Sequence, residues 1–346
     1  MSRSALVLVT NPGDAAIASY RLTGESLEPL AVSGGLPGTG TFAIDEQRDL
    51  VYAGVKGEPA GIQTLGLDRA SGVLTPLSRT DVEASMAYLV LAKSGRLLLG
   101  ASYGGDHGAV WPVDETGRLG EPVARVEFSR AHSVVVTAEH AYFAALGDDL
   151  IAQYALADDG TLTPLDPPTV AAPAGSGPRH LVLSSDGSNV YLLTEFSGEA
   201  IRFARDPGSG VLTPSESVPG HDTSRGLGHS VLGANPLERH YIWGADLHLT
   251  PDGRRLLCSE RTESTLTTID VSAGGRLLDQ LAVTATEQQP RGFALSPDGG
   301  LVLAVGEKST HVALSRLEAD GSLTLLSRTP TGSGANWVRA IPLTHD

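Results

Sequence analysis

The chain is 346 residues long, with a formal net charge of −15, 41 glycines, 21 prolines and one cysteine. That charge argues against a nucleic-acid or anionic-membrane partner, either of which needs a basic surface. A single cysteine excludes an internal disulfide and a thiolate metal site. No apolar run approaches the roughly 20 residues of a membrane span, and the first eleven residues lack a signal peptide's basic region and cleavage site, so a cytoplasmic protein is expected.

Short apolar runs separated by turn-forming residues read as strands from one end to the other. Residues 5–10 (ALVLVT), 17–22 and 27–32 supply three strands before the first full unit begins near Thr41. Along the whole chain one phrase recurs: ESLEPL at Leu27, GVLTPL at Leu74, GRLGEP at Leu119, GTLTPL at Leu162, GVLTPS at Leu212, GRLLDQ at Leu277 and GSLTLL at Leu323. Five of the six steps lie between 43 and 50 residues and one is 65, close to the roughly 40 to 50 residues of one four-stranded propeller blade. The expectation is an all-β, seven-bladed β-propeller with four-stranded blades, one domain over residues 1–346. The chain ends on an orphan strand, 337–343 (WVRAIPL), expected to complete the incomplete first blade as its inner strand and so close the ring.

The clearest unit is GPRHLVLSSDGSNVYLLTE, residues 177–195, which reads as two strands joined by a tight turn. A hairpin returns the end of its second strand to the start of its first, so Arg179 and His180 are expected near Glu195. Because side chains alternate along a strand, only one of Arg179 and His180 is expected to point straight into the channel, the other bracing a neighbouring blade. The same geometry gathers the strand starts Tyr88, His132, Asp246, His248, Arg291 and Trp337 around one mouth of the channel. The strand ends Asn11, Lys56, Tyr103, Arg261 and Lys308 join them. A concave mouth ringed by arginines, histidines and a carboxylate fits a small, oxygen-rich, anionic ligand, which guanidinium forks would hold.

Other motifs carry less. GASYG at 100–104 matches G-x-S-x-G but leads into a strand rather than a helix, so no activated serine is expected at Ser102. The histidines lack the helical i, i+4 spacing of a zinc site, and no metal or cofactor is expected. The longest step holds an insertion, about 219–243, expected on the channel rim where it could cap the mouth.

The hairpin phrase at 177–195, together with ADLHLTPDGRRLLCSER, QPRGFALSPDGGLVLAVGEK and the closing NWV, resembles the lactonase or cycloisomerase-2 family of seven-bladed propellers. The resemblance implies hydrolysis of a sugar lactone, 6-phosphogluconolactone or a related aldonolactone. Its related branch forms lactones from carboxymuconates, and a non-enzymatic binding scaffold is the third reading. For the muconate branch, the site is attributed to a histidine, arginines and a glutamate, matched here by His132, Arg179, Glu195 and Arg261. The catalytic set expected is therefore Glu195 or His132 as base with Arg179 or Arg291 stabilising an oxyanion. His180, Arg261, His248, Asp246, Lys308, Tyr103 and Trp337 are expected to bind the substrate, a small anionic or polyhydroxylated lactone.

Overall fold

One repeat shows how the chain folds. In the computed structural model, which describes residues 4–343, the strands Pro178–Leu183, Asn189–Thr194, Glu199–Arg205 and Leu212–Pro219 form one antiparallel sheet in sequence order. The turn between the first two is set by chemistry: Asp186 accepts from Ser184 Oγ at 2.6 Å and from the Ser188 amide at 3.0 Å, and Gly187 takes a positive φ of 67°. Asp252 and Asp298 take the same bond from Thr250 and Ser296 in two later repeats.

Seven such four-stranded sheets follow, numbered here as blades 1 to 7. Blade 1 is shared between the termini. Its inner strand Trp337–Pro342 pairs antiparallel with Ser4–Asn11, Thr10 opposite Trp337 and Ala5 opposite Pro342, as the orphan strand required. Blades 2 to 7 occupy 41–82, 88–127, 131–171, 178–219, 244–285 and 292–330. The ends of the expected unit, residues 1–3 and 344–346, lie outside the described residues.

Burial explains the ring. Strand Ser4–Asn11 is buried on both faces, and its alternate residues serve different neighbours. Ala5, Val7 and Val9 pack with Leu301, Leu303 and Leu314 of blade 7, while Leu6 and Leu8 pack with Phe42, Val51 and Ala53 of blade 2. Each remaining pair of adjacent blades encloses its own apolar cluster. No helix of the described residues is long and apolar enough to cross a membrane. Cys258 is buried and unpaired within strand Arg255–Glu260.

Candidate active site

The channel mouth is shaped by irregularities in three consecutive inner strands. The register between first and second strands slips between Ala131 and Ser133 in blade 4, Pro178 and His180 in blade 5, and Gly244 and Leu247 in blade 6. A bulge re-aims the side chains it contains, and these contain His132, Arg179 and Asp246. The expectation that only one of Arg179 and His180 faces the channel is overturned here. Arg179 lines the cavity at the mouth, while the His180 ring lies 5.1–5.8 Å from those of Tyr88, His132 and Trp337, on inner strands of three other blades.

Blades 5, 6 and 7 repeat one arrangement. The amides of Glu195, Arg261 and Glu307 donate to the carbonyls of Gly177, Trp243 and Gln289, closing each inner hairpin at the mouth. Two residues beyond those carbonyls stand Arg179, Ala245 and Arg291. Arg179 Nε donates to Glu195 Oε2 at 2.7 Å, and Arg291 Nη1 to Glu307 Oε1 at 3.0 Å, each pair 16 residues apart. Blade 6 places alanine and arginine in the same two positions, so Arg261 reaches back to Glu195 Oε2 at 3.1 Å and lies 3.8 Å over the Trp243 ring. Gly244 permits this approach: a Cβ there would fall 2.3 Å from the Thr194 carbonyl oxygen.

These groups line a cavity of about 870 Å³ with His132, Tyr103, Lys56, Lys308 and Asn336. Within it, Arg179 Nη2, Arg261 Nη1 and Arg291 Nη2 have no hydrogen-bond partner among the described residues, nor does Glu195 Oε1. His132 is 4% exposed, and its buried Nδ1 is also without a partner. Burial and the nearby Arg179 hold the His132 imidazole well below its usual range, so it is neutral at pH 7. Burial alone would raise the Glu195 carboxyl, but Arg261, Arg179 and Arg291 together keep it below the usual range. Burial drives Arg261 down to about 9, with Glu195 opposing and Arg179 adding to the effect. Three guanidiniums, those of Arg179 and Arg261 buried and that of Arg291 partly exposed, stand with Lys56 and Lys308 against the two carboxylates Glu195 and Glu307, which leaves a positive cavity in an acidic protein, one that an anion would relieve.

The family model for the seven-bladed β-propeller lactonases matches residues 7–340. The chain belongs to this lactonase family. It is 31% identical to the 6-phosphogluconolactonase of Sodalis glossinidius over 97% of this chain and 98% of the relative. It is 30% identical to that of Serratia proteamaculans over 96% and 98%. The solved periplasmic gluconolactonase of Pseudomonas aeruginosa superposes with a TM-score of 0.85 at 26% identity, covering 99% of both chains.

Within this lactonase, the residues expected from sequence separate into two layers. Glu195, His132, Arg179, Arg291, Arg261, Lys308 and Tyr103 line the cavity. His180, Asp246, His248 and Trp337, expected to bind substrate, do not. They form a layer beneath, because His180 and His248 bond to Asp246 at 2.8 and 3.1 Å and Trp337 Nε1 donates to the Phe42 carbonyl at 3.2 Å. Sequence reading missed Glu307, Gln289 and Trp243, all on the cavity wall. Glu307 was findable, since GLVLAVGEK places it where YLLTE places Glu195. The insertion supplies Leu237 and Trp243 to the same wall. Ser102 is fully buried and donates to the Ser85 carbonyl at 2.9 Å, at the end of a strand.

Proposed function

We propose that the chain hydrolyses a sugar lactone, 6-phosphogluconolactone or a related aldonolactone, to the open acid in this cavity. One observation carries the reading: a neutral, unpartnered His132 shares a cavity with three guanidiniums that each keep a nitrogen unused by the protein. The names of the relatives point to the same class of substrate.

The chemistry asks for little more. Water attacks the lactone carbonyl as the His132 imidazole takes its proton, a role worth about 10² to 10⁴ in rate. Arg179 Nη2 faces the oxyanion, and a donor of this kind contributes about 3 to 4 kcal/mol. Collapse of the tetrahedral intermediate breaks the bond to the ring oxygen, which recovers the proton from the imidazolium to give a hydroxyl and a carboxylic acid; the acid then ionises to the carboxylate and releases one proton to solvent. Arg261 and Lys308 hold a distal phosphate or carboxylate. Glu195, with Oε2 already claimed by two guanidiniums, serves chiefly to hold them in place. The proposal keeps the reaction in the cytoplasm, which suits a single unpaired cysteine.

Proton release from 6-phosphogluconolactone, measured above the spontaneous rate, tests these roles. His132→Ala should fall to the spontaneous rate, while Glu195→Gln should retain part of the activity, losing about tenfold. A dead Glu195→Gln beside an active His132→Ala would make the glutamate the base. No acceleration by the wild type would sink the reading.

A further inference from the structure

Beneath the cavity, a hydrogen-bond chain runs from Arg179 down the channel. Arg179 Nη1 lies 3.2 Å from His180 Nε2, and His180 Nδ1 lies 2.8 Å from Asp246 Oδ1. A guanidinium can only donate and an ionised carboxylate can only accept. Between the two, the imidazole has one workable state: neutral, bare at Nε2 and protonated at Nδ1. Burial and the adjacent Arg179 push His180 down to about 4, in keeping with that state at neutral pH.

Asp246 is itself immobilised. Its Oδ1 also accepts from the Leu247 amide at 3.0 Å, and its Oδ2 from the Phe293 amide of blade 7 at 3.4 Å and from His248 at 3.1 Å. The rings of Tyr88, His132 and Trp337 fix the plane of the imidazole edge-on. On its other side, Arg179 gives Nη1 to the Ala245 carbonyl and Nε to Glu195, so each bond it makes helps determine where Nη2 faces.

We propose that Asp246 is a positioning residue: it selects the tautomer of His180, and through it aims the Arg179 nitrogen left for the substrate's oxyanion. Without the carboxylate, the imidazole is free to carry its proton on Nε2. Two N–H groups then face each other across the Arg179 contact, and the guanidinium has to turn away. This inference rests on the lactonase reading, in which Arg179 acts on the reacting carbonyl.

The test is a double-mutant cycle on Asp246→Asn and His180→Gln in the proton-release assay, with thermal melts to confirm that each variant folds. Glutamine has no tautomers, and its amide oxygen can still accept from Arg179. Asp246→Asn should lower kcat about ten- to hundredfold with KM little changed. His180→Gln should stay within about threefold of wild type, and adding Asp246→Asn to it should cost no more than about threefold again. Equal losses in the two backgrounds would make Asp246 merely structural and overturn the proposal while leaving the lactonase reading intact. A wild type that accelerates no lactone would overturn both. Nitrogen-15 spectra of the imidazoles, assigned by the His180→Gln difference, should show His180 bare at Nε2. A protonated Nε2 overturns the proposal whatever the activity.

Discussion

His132 packs its ring against those of Tyr103 and His180, at 5.7 and 5.1 Å, with no partner on Nδ1. Burial first, then the cations Arg179 and Arg291, disfavour its charged form. A base acts in its neutral form, which for a lowered pKa is present down to that lower pH. The plot of kcat/KM against pH should therefore stay level through pH 6.5, where an ordinary imidazole titrates, and fall only below it. An acid limb centred near 6.5 would contradict this account of the His132 environment. The Arg179–Glu195 pair was legible in the sequence, since a hairpin places its open ends side by side. The direction of Arg179 and His180 was not, because alternation along a strand assumes regular pairing, and the bulge at Pro178/His180 breaks it.

At the level of single elements, the inner strand Trp337–Pro342 joins the two ends of the chain. It is held to Ser4–Asn11 by a regular ladder and buries Trp337, Val338 and Ile341 between blades 7 and 2. Each of those side chains is worth about 1.5 to 3 kcal/mol, so their sum rivals the 5 to 15 kcal/mol of a typical domain. Removing residues 337–346 should give a protein with no cooperative thermal transition, followed by circular dichroism. A truncated chain melting within a few degrees of wild type would show that the ring does not depend on this strand. The strands themselves were easy to read, because apolar runs between Asp-Gly turns recur at a nearly constant step. The 219–243 insertion was expected on the rim because it precedes an inner strand, but which of its residues reach the cavity, Leu237 and Trp243, depends on packing that no local pattern encodes.

For the molecule as a whole, seven blades each present the start of one strand and the end of the next at the same mouth. Three neighbouring blades there carry Arg–Glu, Ala–Arg and Arg–Glu in equivalent positions. The repeat that builds the ring thus also concentrates cations in a protein with a net charge of −15. That placement is the central claim, and the most direct test is proton release from 6-phosphogluconolactone, gluconolactone and galactonolactone, each against its spontaneous rate and an Arg179→Ala control. The account predicts acceleration that the control loses, greatest on the phosphorylated lactone. Spontaneous rates on all three, or an Arg179→Ala protein as fast as wild type, would contradict it.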